Sequence, residues 1–198
     1  KALASDERSF PPGHPSIAVR QSNLATVLKG LGELEGARDL LEKALASDER
    51  SYPPGHPAIA LRRSNLATVL KDLGDLEAAR ELLEKALSST VQTYPPGHPA
   101  IARDQSNLAL VLKGLGELEA ARDLLEKALA SDEQTYAPGH PAIARRQSNL
   151  AMVLKDLGEL EAARDLLEEA YEALLSRYGP DFPLARTVKG NLDSLGPS

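Results

Sequence analysis

Tyr52-Pro53-Pro54-Gly55-His56-Pro57-Ala58-Ile59-Ala60 is the phrase on which the fold turns, because nearly the same words return along the chain at a fixed interval. Its aromatic slot is filled by Phe10, Tyr52, Tyr94, Tyr136 and Tyr178, each 42 residues after the last. A period between about 20 and 50 residues marks a stacked array, in which each unit packs only on its neighbours and the core is a continuous ribbon. The spacing therefore overrides the expectation of one or two ordinary globular cores for a chain of 198 residues.

Working outward from the phrase divides the chain into repeats at 10–51, 52–93, 94–135 and 136–177. Residues 1–9 match 43–51 almost word for word and read as the second helix of a truncated repeat. Residues 178–198 read as a capping half repeat. There, Asp181 and Phe182 replace glycine and histidine, Arg186 stands where Ala144 stood, and Asp193 where Ala151 stood. Polar residues at stacking positions are what a terminal cap requires. The whole is expected to form a single repeat domain over 1–198, open at its N-terminal end.

Within a repeat, Pro12-Gly13 fits the central positions of a type II turn, where proline presets φ and glycine accepts φ above zero. Pro15 suits a first helical turn and places His14 at the N-cap. A helix is expected from Pro15 to Gly30, with Ile17, Ala18, Leu24, Ala25, Leu28 and Leu31 as its apolar stripe. Gly32 marks the inter-helix turn. A second helix follows from about Glu33 to Ser51, burying Leu34, Ala37, Leu41, Ala44 and Leu45. Its other face carries Glu35, Arg38, Asp39, Glu42 and Lys43, with Asp39 and Lys43 spaced for an i, i+4 ion pair. Ala25, Ala37 and Ala44 are where two backbones should approach most closely. The expected architecture is all-α: a right-handed superhelical solenoid of antiparallel helix hairpins.

Composition narrows the function classes. Hydrophobic residues at 42% and charged residues at 26% fit a folded, soluble chain. With no cysteine there is neither a disulfide framework nor a thiolate metal site, which is compatible with a cytoplasmic location. No apolar run approaches the roughly 18 residues that span a bilayer, so no membrane role is expected. A net charge of -6 argues against nucleic acid as a partner.

The run Asn23-Leu24-Ala25, then Gly32, Leu34, Ala37, Leu41, Ala44 and Leu45, resembles the small and large slots of the tetratricopeptide repeat, lengthened by the opening phrase. Together the HPxIA, NLA, LG, EAAR and KAL words are similar to the repeats of kinesin light chains and of arrays attached to bacterial NB-ARC regulators. The resemblance implies a concave groove lined by the first helix of each repeat. The family's aromatic slots are Leu28, Leu34 and Leu41 here, so no aromatic-lined pocket carries over.

The chemistry-bearing residues recur one per repeat. His14, His56, His98 and His140 form a ladder rather than a convergent metal site and read as turn histidines bracing the first helices. Ser22, Ser64, Ser106 and Ser148 have no histidine beside them in sequence, and no catalytic role, cofactor or metal is expected. The groove positions implied by the resemblance are Asn23, Asn65, Asn107 and Asn149, with Lys29, Lys71, Lys113 and Lys155 six residues on and Thr26, Thr68, Leu110 and Met152 between. Asn offers donors and an acceptor to an extended peptide backbone, or it bridges neighbouring helices. Four residues before each Asn, Val19 and Leu61 give way to Arg103 and Arg145, making the later repeats more basic. The expected partner is a protein or extended peptide, acidic with an apolar anchor. The expected setting is a larger bacterial signalling or assembly protein. The alternatives are weak head-to-tail self-association through the open half repeat and a consensus-like designed array with no natural ligand.

Overall fold

The computed structural model describes residues 14–196. The truncated repeat at 1–9, Phe10 and the Pro12-Gly13 turn lie outside them. The described residues form nine helices and no strand. They fall into two compact units, one ending at Pro95 and one beginning at Pro96. In the first, α1 (Pro15–Gly30) pairs with α2 (Leu34–Ser51) and α3 (Pro57–Leu73) with α4 (Leu76–Thr93), while α2 packs on α3. In the second, α5 (Pro99–Gly114) pairs with α6 (Leu118–Thr135) and α7 (Pro141–Leu157) with α8 (Leu160–Tyr178). There α6 packs on α7, and α9 (Pro183–Asp193) covers α7 and α8. Among the described residues no helix is long and apolar enough to cross a membrane.

The opening phrase builds the start of each first helix. The His56 amide donates to the Pro53 carbonyl at 3.1 Å across Pro54-Gly55, and Gly55 has φ 86°, the conformation the type II turn demands. His56 Nδ1 then accepts the Ala58 amide at 3.2 Å, an N-cap bond repeated by His14, His98 and His140. Tyr52 lies flat on the His56 ring at 4.0 Å and Tyr136 on His140 at 4.1 Å. The aromatic slot thus fixes the capping imidazole in place. In the last half repeat Tyr178 stacks on Phe182, which has no capping bond to offer.

At the other end of α3, the Gly74 and Asp75 amides donate to the Lys71 and Leu70 carbonyls, the paired bonds of a Schellman motif. The helix stops there and reverses, with only two residues before α4. The two helices of each hairpin meet on alanine. Ala25, Ala37, Ala44, Ala79 and Ala86 are all buried in the first unit, with Leu41 and Leu83 between them. Ala109, Ala121, Ala128, Ala151, Ala163 and Ala170 do the same in the second.

Two expectations need correction. Leu24 and Leu31 do not belong to the buried stripe of α1. Leu31 is the residue after the helix ends and is 69% exposed. Leu24 is exposed although its equivalents Leu66 and Leu150 are buried where α2 and α6 precede them; no described helix precedes α1. The Asp39–Lys43 pair does not form either. Arg38 takes the acids of that face instead, reaching Glu35 at 2.8 Å and Glu42 at 3.8 Å. Its forked guanidinium serves two carboxylates at once where a single ammonium would serve one.

Candidate interaction surface

The asparagine column is first of all a stacking device. Asn65 Nδ2 donates to Ser22 Oγ at 3.1 Å, joining α3 to α1, and Asn149 Nδ2 to Ser106 Oγ at 3.2 Å, joining α7 to α5. Asn191 repeats the bond to Ser148 Oγ at 2.9 Å, joining α9 to α7. The serines are buried, so each Asn satisfies a hydroxyl that would otherwise be costly to leave unpaired. Each Asn retains its carbonyl oxygen for a ligand. Asn23, in the first described helix, is exposed.

The lysines are largely neutralised. Lys29 and Lys71 both reach Asp72, at 3.0 and 2.7 Å, and Lys113 reaches Asp156 at 2.7 Å. Burial pushes the Asp72 carboxyl up, but its bonds to the two ammonium groups outweigh that and hold it below the usual carboxylate range. Lys155 donates to the Ser194 carbonyl and hydroxyl, both at 3.1 Å. Thr26 and Thr68 bond their own helices, through the Ser22 and Asn65 carbonyls.

Two concavities collect the remaining groove positions. In the first unit a cavity of about 170 Å³ is lined by Thr26, Lys29, Asn65 and Thr68 over Ala25, Leu41 and Val69. In the second a larger one, about 450 Å³, brings together Arg103, Asn107, Leu110, Arg145 and Asn149. Asn23, Lys71, Lys113 and Lys155 line neither.

The larger cavity also holds residues the sequence reading passed over: Arg146, Asp132 and Tyr136. Arg146 Nε stands 3.2 Å from Asp132 Oδ2, and both side chains are more than nine-tenths buried. In the first unit Arg62 and Asp48 make the same pair at 3.0 Å. In neither pair is the Nε–H directed at that oxygen as a hydrogen bond requires, so the attraction is chiefly Coulombic. Burial raises the Asp132 carboxyl above its ordinary range, opposed by Arg146, Arg145 and His140. Burial likewise lowers Arg146, opposed by Asp132.

Arg103 bonds its neighbour Asp104 at 2.9 Å, whereas Arg145 is exposed and has no ion-pair partner among the described residues. The cavity therefore presents three guanidinium groups against one lining carboxylate, with Leu110 and Tyr136 as apolar wall. Such a set suits a carboxylate-bearing chain, which a guanidinium can engage through two parallel bonds.

A sequence signal for the buried pairs was present. Aspartate at 48 and 132 goes with arginine fourteen residues on, at 62 and 146, whereas Thr90 goes with Asp104. Asn191 was likewise readable from the period alone.

The tetratricopeptide repeat family model matches three overlapping stretches, 16–90, 58–134 and 100–176. Among solved structures, a kinesin light chain with nearly identical TPR-like repeats from Podosopora anserina is 26% identical, covering 92% of this chain and 86% of its own, with a TM-score of 0.78. A variant of that protein superposes at 0.79 over the same shares. BtubC (BKLC) from P. vanneervenii matches 98% of this chain and 81% of its own at a TM-score of 0.80, and at 19% identity the likeness is one of fold alone. No curated protein matches the sequence significantly.

Proposed function

Because the chain belongs to the tetratricopeptide repeat family, whose arrays generally serve as scaffolds for protein–protein interaction, we propose that it binds an acidic, extended segment of another protein along α5 and α7. The observation that carries this reading is the cavity of about 450 Å³ in which Arg103, Arg145 and Arg146 converge beside Asn107 and Asn149. Arg145 and Arg103 meet the carboxylates, the Asn carbonyls accept from the peptide backbone, and Leu110 with Met152 one turn past Asn149 receives an apolar anchor. Lys113 and Lys155 extend that face of the second unit as a polar rim, and Asn23, Asn65 and Lys71 make the corresponding face of the first unit. The role is non-catalytic and uses no cofactor. On the same reading the array is part of a larger bacterial signalling or assembly protein in the cytoplasm.

Fluorescence anisotropy tests it with labelled peptides that differ only in charge: Asp and Glu around a central Leu, the Lys counterpart, and a Ser counterpart. The acidic peptide is expected to bind most tightly, to weaken as salt rises, and to lose at least tenfold on Arg103→Glu together with Arg145→Glu. Equal binding of the three peptides, or no loss in the double variant, refutes the assignment.

A second reading, self-association, is favoured by α1, where Val19, Leu24 and Val27 are exposed, as is Leu31 just past its end. Sedimentation velocity over a hundredfold range of concentration decides it: a constant monomer excludes a second copy on that face.

A further inference from the structure

The fourth repeat departs from the other three on the side of α7 away from the arginine cavity. Where the earlier repeats carry Lys43, Lys85 and Lys127, it has Glu169; where they carry Ser47, Ser89 and Ser131, it has Ala173. In the first unit the serine of this slot has a definite job: Ser89 Oγ donates to the Gly55 carbonyl at 3.1 Å and ties α4 to the turn. Arg63 of α3 meanwhile spans to Glu49 at 2.8 Å. In the second unit Gln147 stands in place of Arg63, and Ala173 has no hydroxyl to reach the turn.

Beside these positions lies a cavity of about 260 Å³ between the Tyr136–Gly139 turn, α7 and α8. Its wall is apolar, made by Ile143, Ala144 and Ala173, and Glu133 and Glu169 line it as well. Both glutamates are exposed, and neither has an ion-pair partner among the described residues. Arg177, at the turn, is engaged with the Pro138 carbonyl at 3.2 Å and lies over the Tyr178 ring.

The residue that points to a ligand is Gln147. It is 3% exposed, it lines the cavity, and its amide makes no hydrogen bond among the described residues. Its amide atoms are not among the fully buried polar atoms that lack a partner, so they open onto the cavity, where a bound donor can take the place of water. Residues 143, 144 and 147 fall on one side of α7 and 142, 145, 146 and 149 on the other at 100° per residue, so this cavity is distinct from the arginine site.

We propose that this cavity is a subsite for the lysine side chain of a partner protein. At about 260 Å³ it lies below the roughly 300–1,000 Å³ of pockets that hold drug-sized ligands, and suits one side chain. An alkyl stem lies along Ile143, Ala144 and Ala173, as lysine stems do on apolar surfaces. The ammonium, with three donors and no acceptor, meets Glu133, Glu169 and the Gln147 carbonyl oxygen. The array then reads two chemistries of its partners, acidic on one side of α7 and basic on the other.

The test is a methyl-resolved NMR titration of the intact chain with the peptide acetyl-Gly-Gly-Lys-Gly-Gly-amide, its norleucine analogue and n-butylammonium. Saturable shifts of the Ile143 and Ala144 methyls are expected with the lysine peptide. They should be at least tenfold weaker with norleucine, which keeps the stem and lacks the charge. The paired change Glu169→Lys and Ala173→Ser, which installs residues the other three repeats already carry, is expected to abolish the response, as is Gln147→Leu to weaken it several-fold. An equal response to norleucine, shifts that persist in the paired variant, or no response to n-butylammonium, which carries the same stem and charge, each overturns the assignment. Loss of acidic-peptide binding at the arginine cavity leaves this titration unchanged, so the two sites fail separately.

Discussion

Removing one member of the Asp132–Arg146 pair is expected to cost far more than removing both. At 3.2 Å and an effective dielectric of about 20, the gross attraction is about 5 kcal/mol, which burial of two charges largely consumes. Asp132→Asn strips the attraction and leaves a guanidinium buried among Ser106, Ala142 and Tyr136. The expected loss is about 3 kcal/mol, at the low end for a buried pair because Arg146 opens onto a cavity that water can enter. Arg146→Leu should cost a similar amount. The double variant Asp132→Thr with Arg146→Leu should come back to within about 1 kcal/mol of the parent, since Thr90 already occupies the aspartate slot in the second repeat. With a urea slope of about 3 kcal/mol/M, each single change lowers the midpoint by about 1 M. Arrays of this kind do not unfold as one cooperative unit, so amide exchange across α6 and α7 is the sharper readout.

Acid supplies an independent check on the same pair. The folded carboxyl of Asp132 is raised, so the native state takes up a proton before the unfolded chain does. Between the raised value and the ordinary 3.8, this residue's contribution becomes more favourable as pH falls, and Asp132→Asn removes that limb. Two single changes that each cost under about 1 kcal/mol and add within about 0.5 would show the pair to be hydrated, and the reasoning would be wrong.

Two further outcomes probe the helix starts and the hairpin seam. His56→Ala forfeits both the cap to Ala58 and the stack on Tyr52 and should destabilise the first unit by about 2 kcal/mol, whereas His56→Asn keeps a capping acceptor and should lose only about 1 kcal/mol; equal melting of the two variants counts against the cap. Ala79→Leu inserts an isobutyl group where α4 meets α3 with no exposed surface, and should cost about 1–3 kcal/mol; an unchanged melting temperature would mean the helices are not in contact at that residue.

The hairpin was legible because its signals are local. Pro15 and His14 mark a helix start through φ and a capping nitrogen, Gly74 marks a stop through positive φ, and alanine spacing marks the seam; each is decided within a few residues of itself. The groove was half legible. Arg103, Asn107, Leu110, Arg145 and Asn149 do meet in one cavity, as their shared slots implied. What the slots could not show is how each charge is spent. Lys29 and Lys113 are held by Asp72 and Asp156 of the following repeat, contacts set by how two helices rest together. Asp132 and Arg146 were passed over for the same reason: one ends a second helix, the other sits mid-way in the next first helix, and only packing joins them. The Gln147 cavity is lined by Glu169 and Ala173 of one helix and Ile143, Ala144 and Gln147 of another, and only their packing brings them together.

The buried pairs have a further effect on how such a chain finds its own pairing. Near-identical repeats invite mispairing, because a helix from one copy fits the seat of another. Asp48 belongs with Arg62 and Asp132 with Arg146, whereas the seat between them carries Asp104. A slip of one repeat would set Asp48 against Asp104, two carboxylates in a dry interface with Arg103 to offset only one of them. A slip of two repeats would set Asp48 against Arg146 and meet no such penalty. Charge alternation thus acts as a parity check on assembly, and a gene encoding this array can gain or lose repeats in pairs at far lower cost than singly.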